Sequence, residues 1–325
     1  MKVYFCGDLH LREDEPFFSS CTYVLKDLTK RVNCGDVIVF AGDFFHKQTP
    51  TIKELKTARV FFDVMNRKAC QVIICAGNHE YNGAKDAFVE DIFTEFDVTF
   101  VDSVRIRELD TCNILFLPWI SNYRLKKSGC ESLQAFYKES YDKLSIPSNK
   151  KNFVVYHFED ETQFVGFERK GIDLRFIKED ITRIGGHIHI SSNNYIGVPY
   201  ATRKDESGQK CKILEWDGTE LNVIEYPELI KWVKISAEDI KTTRFSSKVN
   251  YILDVCNVKS IDELIDFIAS KDNLFLDNYE LLFGEERQIS EEKTSNVNNV
   301  KEFLKVYISQ NKVDKETSEY LLGMF

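Results

Sequence analysis

Five short apolar runs in the amino-terminal part of the chain break off at the same kind of residue, and that recurrence limits the folds open to it. Val3–Cys6 is followed by Gly7-Asp8-Leu9-His10, Val37–Ala41 by Gly42-Asp43-Phe44-Phe45-His46, and Val72–Ala76 by Gly77-Asn78-His79-Glu80. Phe153–Tyr156 runs into His157, and Ile181–Gly185 into Gly186-His187-Ile188-His189. Short runs rich in Val, Ile and Phe read as strands buried on both faces, as in a parallel sheet. Ile114–Leu117 is a sixth run of the same composition. Helical patterns fall between the runs, at Cys21–Arg31, Ile52–Asn66, Ala87–Phe96 and Ser132–Leu144. The second opens with Thr51 and has Glu54 three residues on, a capping-box pattern. Strand and helix alternating in this way predict a layered α/β fold.

The chain has six histidines, and all six lie in those five strand-end segments. Taken singly each has a bland reading, since a lone histidine is more often structural and a lone Asp43 more often a turn or cap residue. Together they point elsewhere, because α/β sheets bind ligands at the carboxyl ends of their strands. Asp8 and His10 stand at i and i+2, as do His187 and His189, so each pair projects to one side. Asp8, His10, Asp43, Asn78, His157, His187 and His189 make a mixed carboxylate, imidazole and amide set without a thiolate. Such a set suits Mn²⁺, Fe²⁺ or Zn²⁺ in a reactive site more than a structural zinc. It is too large for one ion, and a pair about 3.5–4 Å apart bridged by a carboxylate accommodates it.

Composition bounds the alternatives. The net charge of −9 argues against binding nucleic acid by bulk electrostatics, although bound cations reverse the local sign. With 325 residues, 43% of them apolar, the chain has room for one large domain and smaller ones. No apolar run is long enough to span a bilayer, so no membrane is expected. Asp8, Arg12, Glu13 and Asp14 leave no space for the apolar region of a secretion signal. Nine scattered cysteines without a C-x-x-C pair read as buried free thiols of a cytoplasmic protein. No phosphate-binding G-x-x-x-x-G-K-[ST] loop is present, so ATP hydrolysis by this chain is not expected. Three basic clusters, at Arg124, Lys126 and Lys127, at Lys150-Lys151 and at Arg169-Lys170, are either contacts for a DNA backbone or solvated surface.

The pattern changes near Tyr226–Pro227. Val249–Val255 and Tyr279–Phe283 read as strands around a helix at Ile261–Ser270, followed by a polar linker at Gly284–Ser295. Beyond it Val297, Val300, Leu304, Tyr307 and Ile308 recur at helical spacing, as one of two short amphipathic helices. The expected organisation is therefore a main α/β domain over 1–226, a small α+β domain over 227–284 and a helical tail over 285–325.

The order D-x-H, G-D, G-N-H, H, G-H-x-H resembles the calcineurin-like metallophosphoesterases, over about the first 200 residues. The resemblance implies that fold, with an α+β capping domain and a helical tail added. It also implies that Asp8, His10, Asp43 and His189 hold one divalent ion and Asn78, His157 and His187 the second, with Asp43 bridging. His79 would stand beside the scissile phosphate, stabilising the transition state or protonating the leaving oxygen. Gly42-Asp43-Phe44-Phe45-His46-Lys47-Gln48-Thr49-Pro50 is similar to the SbcD nuclease family, which makes His46 a second catalytic candidate that positions the phosphodiester. The plainer reading of His46 is a histidine bonded to a helix start. Tyr195-Ile196-Gly197-Val198-Pro199 resembles that family's Y-x-G-[ST]-P element, and Leu115–Ile120 resembles its phage recombination members. Arg12, Glu80 and Val198 depart from the pattern, Glu80 following His79 as it does in the phosphatases, and none of them is an implied ligand.

By this resemblance the chain is a DNA nuclease, a 3′→5′ exonuclease on duplex ends and an endonuclease on single strands. It would use two divalent ions, Mn²⁺ first among them. It would form a homodimer through Ile52–Asn66 and Ala87–Phe96 and would join an SbcC-type ATPase through its tail. The rival readings are a small-molecule phosphodiesterase or protein phosphatase of the same fold, and a non-catalytic scaffold, which would be expected to have lost ligands.

Overall fold

The computed structural model describes residues 1–81, 93, 96, 98–161, 171–236, 244, 249–254 and 274–277. The chain forms two compact units, Met1–Leu229 and Ile230–Phe325.

The first unit is built on two sheets. Its strands are β1 (Val3–Cys6), β2 (Val37–Phe40), β3 (Gln71–Cys75), β4 (Thr99–Val101), β5 (Arg105–Glu108), β6 (Cys112–Leu117), β7 (Lys151–His157), β8 (Thr182–Gly186), β9 (Lys212–Trp216) and β10 (Leu221–Glu225). One sheet runs β10-β9-β1-β2-β3-β4 and the other β5-β6-β7-β8. Strands β1 to β4 are mutually parallel, as are β6 to β8, whereas β5, β9 and β10 pair antiparallel with their neighbours.

Successive strand residues point to opposite faces. Val3, Phe5, Val37, Val39, Ile73 and Cys75 from the first sheet therefore share one core with Ile114, Phe116, Phe153, Val155 and Ile184 from the second. The alternate residues face helices. α1 (Phe17–Arg31) and α2 (Ile52–Arg67) cover the outer side of the first sheet, where Phe40 meets Phe61 at 6.1 Å between ring centres. α3 (Asn122–Ser128) and α4 (Leu133–Asp142) lie against the second, where Tyr137 and Tyr141 join Leu115, Leu117, Val154 and Tyr156. The layers run helix, sheet, sheet, helix. Because both faces of the central strands are covered, each buried side chain of this size is worth about 1.5–3 kcal/mol.

The helix starts follow local chemistry. Thr51 accepts from the Glu54 amide at 3.3 Å while the Glu54 carboxylate accepts from the Thr51 amide at 2.8 Å, closing the capping box. α1 begins four residues earlier than its apolar pattern suggests. Pro16 offers no side-chain cap there, but Glu15 accepts from the Ser19 amide at 3.2 Å and from its hydroxyl at 2.6 Å.

In the second unit β11 (Lys231–Ile235), β12 (Val249–Asp254) and β13 (Leu274–Asp277) form a parallel sheet in that order. β12 lies within the expected strand at Val249–Val255, whose last residue is outside the described ones. The strand expected at Tyr279–Phe283, the helix at Ile261–Ser270, the linker and the tail lie outside the described residues, as does most of Ala87–Phe96. Among the described residues no helix is long and apolar enough to cross a membrane.

Candidate metal centre

Strands β1, β2 and β3 lie side by side in register, Cys6 opposite Phe40 and Phe40 opposite Ile74. Their carboxyl ends therefore deliver Asp8 and His10, Asp43 and His46, and Asn78 and His79 along one edge of the first sheet. In the second sheet His157 on β7 is opposite Gly186 on β8, which brings His157 beside His187 and His189. The two edges are joined directly, with the His157 Nδ1 at 2.7 Å from the Ala41 carbonyl oxygen. That approach needs glycine. A Cβ on Gly42 would fall 2.0 Å from His157 Nδ1, and Gly42 also has a φ of +107°, which side chains rarely adopt. A Cβ on Gly77 would fall 2.2 Å from Asp43 Oδ1.

All nine residues singled out by sequence meet here. Asp8, His10, Asp43 and His157 form a buried floor. Asn78, His79, His46, His187 and His189 are half-buried around it. The Asp43 Oδ2 stands 3.3 Å from His157 Nε2, 3.8 Å from His10 Nε2 and 3.9 Å from His79 Nε2. Asn78 Oδ1 is 3.1 Å from both His157 Nε2 and His187 Nδ1. Asp8, His10 and His189 offer one set of mutually close ligand atoms, Asp8, Asp43 and His157 a second, and His10, His46 and His79 a third. His46 and His79 stack at the mouth, with ring centres 5.8 Å apart, and the His79 Nδ1 lies against the His46 carbonyl. With Asn78, Lys47, Gln48 and Thr49 they line an opening of about 400 Å³.

Two observations fit this donor set to divalent cations. Asp8 Oδ2 is buried without a hydrogen-bond partner, which is costly for a carboxylate oxygen unless a cation faces it. The His10 and His189 Nε2 atoms stand 3.0 Å apart, the spacing of two nitrogens about 2.1 Å from one ion at a right angle.

The electrostatics agree. Burial pushes the Asp8 carboxyl above its ordinary range, with His157 and His189 opposing. Burial acts the same way on Asp43, but His157, His10 and His79 outweigh it and hold Asp43 low. Burial and the neighbouring His189 hold His10 well below the usual imidazole range, and burial with His157 brings His187 to about 3. His157 goes the other way: Asp43 overcomes burial and raises it to about 10. Burial thus keeps His10 and His187 neutral, whereas Asp43 and Glu206 overcome burial to raise His157 and His189, and such opposed shifts within one cluster mark a functional site.

The sequence reading passed over two carboxylates. Glu80, noted only as a departure from a family pattern, is wholly buried and accepts the amides of Gly77 at 2.7 Å, Phe44 at 2.8 Å and Asp43 at 3.0 Å. It ties the second motif to the third. Its only sequence signal was its place after Gly-Asn-His. Glu206 bonds His189 and belongs to no motif. Three proposed ligands also sit in left-handed backbone, His10 at φ 46°, Asp43 at 48° and His187 at 74°. Such strain costs about 1–3 kcal/mol per residue and gathers where surrounding structure holds it for function. Of the basic clusters, Arg124 is spent internally on the Asp102 side chain and carbonyl and on the Tyr81 hydroxyl. Lys150 bonds the Leu109 carbonyl at 2.8 Å, and Arg169-Lys170 lies outside the described residues.

Comparison with known proteins gives a family. Residues 1–191 match the model of the calcineurin-like phosphoesterases. No curated protein matches. Among solved structures, an archaeal phosphodiesterase is 11% identical with a TM-score of 0.35, the alignment covering 70% of this chain and 100% of that one. A protein of unknown function from Aquifex aeolicus is 18% identical with a TM-score of 0.28, covering 49% of this chain and 81% of that one. With more than half of its length matched, the chain belongs to the calcineurin-like phosphoesterase family.

Proposed function

We propose that this calcineurin-like phosphoesterase cleaves DNA phosphodiesters, with two divalent cations held by Asp8, His10, Asp43, Asn78, His157, His187 and His189. The observation that carries the reading is the approach of all seven to one site, with His79 and His46 stacked at its mouth and close enough to His10 to form a further set of ligand atoms. When bound, the cations would supply a nucleophile at neutral pH and offset charge developing on the phosphoryl oxygens.

The protein groups do the rest. The floor of Asp8, Asp43, His10 and His157 excludes bulk water, which strengthens every charge interaction made there. His79 is fixed through its Nδ1, which donates to the His46 carbonyl and leaves Nε2 to face the reacting phosphate; with the ring doubly protonated, Nε2 carries the proton that goes to the departing oxygen. His46 lies beside it at the opening, where it orients the phosphodiester, and Lys47 offers a positive charge for a neighbouring phosphate. The G-D-F-F-H run supports a nuclease over a protein phosphatase, because it resembles the SbcD nucleases and puts a second imidazole at the mouth of the site.

The homodimer and the SbcC-type ATPase belong to this proposal. α2 supports the first, since it leaves Ile52 72% and Val60 64% exposed beside a groove of about 830 Å³ against α1. The test is purified chain with labelled linear duplex, with Mn²⁺ and with chelator, beside a phosphoserine peptide and a small aryl phosphodiester. Mn²⁺-dependent shortening of the DNA with the peptide untouched is the expected result. Turnover of the peptide or the small diester with intact DNA would overturn the nuclease reading.

A further inference from the structure

Only one ring nitrogen of His189 faces the other proposed ligands. Its Nε2 stands 3.0 Å from His10 Nε2, while its Nδ1 lies 2.5 Å from Oε1 of Glu206. Glu206 is 1% exposed. Its second oxygen, Oε2, is filled by the local chain: the Thr202 amide at 2.6 Å, the Arg203 amide at 3.0 Å and the Thr202 hydroxyl at 2.9 Å. That hydroxyl is also 3.1 Å from His189 Nδ1. The carboxylate is therefore oriented by a short loop, and Oε1 faces the imidazole, with the Thr202 hydroxyl 3.1 Å from that oxygen as well. Glu206 lies beyond residue 191, outside the segment that matches the family.

A neutral imidazole carries one proton and one lone pair, and the partner of one nitrogen decides which end does which. An ionised carboxylate accepts and cannot donate, so it places the proton on the nitrogen it touches. From this geometry we infer that Glu206 is a positioning residue, which sets the His189 tautomer so that a lone pair faces the position shared with His10 and Asp8. The inference rests on the proposed metal centre. Carboxylate partners of this kind orient ligand histidines in other metal sites, and their loss there costs about 10–100-fold in metal affinity.

The same contacts provide a discriminating pair of variants. In Glu206→Gln the amide oxygen must take the place of Oε2, because two backbone amides point there. The amide NH₂ then faces His189 Nδ1, donates to it and drives the ring proton onto Nε2. Glu206→Asp is the poorer match in size but keeps an acceptor-only carboxylate. If Glu206 merely fills space, Gln is benign and Asp harmful. If it sets the tautomer, the order reverses.

The experiment uses the full chain. Ring-nitrogen NMR of the metal-free protein, taken at alkaline pH because Glu206 overcomes burial to raise the His189 imidazole, reads the tautomer of the neutral ring, and calorimetry with Mn²⁺ alone reads affinity and stoichiometry. The expected result is an Nδ1–H tautomer in the wild type and in Glu206→Asp, and an Nε2–H tautomer in Glu206→Gln. Glu206→Gln should also bind one of its two Mn²⁺ ions about 10–100-fold more weakly, with Glu206→Asp closer to wild type. An unchanged tautomer and affinity in Glu206→Gln, or a larger loss in Glu206→Asp than in Glu206→Gln, would overturn the inference. A wild type that binds no Mn²⁺ while the tautomers still follow the variants would instead remove the metal centre and leave the control of His189 standing.

Discussion

Glu80 is the side chain on which the geometry of two motifs depends. Truncating it would leave the buried amides of Gly77, Asp43 and Phe44 without an acceptor. Each such group costs about 1–3 kcal/mol, so Glu80→Ala should destabilise the metal-free chain by at least about 3 kcal/mol in denaturant unfolding. A loss below about 1 kcal/mol would mean that the amides find other acceptors. The histidines make a second prediction at this scale. Asp43 raises His157 to about 10, so in the metal-free chain that ring holds its proton at neutral pH. A ligand nitrogen must be unprotonated, hence Mn²⁺ uptake should release protons and tighten as the pH rises. Calorimetry at pH 7 in two buffers of different ionisation enthalpy checks it. Identical observed enthalpies would show that no proton leaves.

At the scale of the element, α2 depends on its capping box. Thr51→Ala removes the acceptor for the Glu54 amide and should cost about 1 kcal/mol, within a range of 0.5–2, seen as a lower Tm with metal binding unchanged. That helix start was legible in the sequence because capping is local chemistry, and so were β1, β2, β3, β6, β7 and β8, whose apolar runs record burial on both faces. The edges were not. β5 reads Arg-Ile-Arg-Glu and is largely exposed, and β10 alternates half-buried Leu221 and Ile224 with exposed Asn222, Val223 and Glu225, so neither leaves an apolar run. The meeting of the nine site residues was legible for a related reason, since every one stands at or just beyond the carboxyl end of a strand with an apolar run. Glu206 was not, because its partner is set by a loop that folds back over 17 residues to His189. The role of Glu80 lay in the same blind spot, because its three partners are backbone amides, which no sequence pattern displays.

For the molecule as a whole, a chain of net charge −9 is an unpromising binder of a polyanion unless its site carries positive charge of its own. The buried carboxylates and imidazoles of the first unit supply ligands for such charge, which makes ion count and catalysis parts of one claim. The most direct measurement strips the full chain with chelator, titrates it with Mn²⁺, and counts bound ions by elemental analysis while cleavage of labelled linear duplex is followed in the same samples. The wild type should take up two ions and cleave only as the second binds. Asp43→Ala, which lacks the carboxylate between His10 and His157, should regain neither the full complement nor the activity, losing at least about 10²–10⁴-fold. A wild type saturated by one ion, or an Asp43→Ala chain that binds two and cuts at the wild-type rate, would contradict the account.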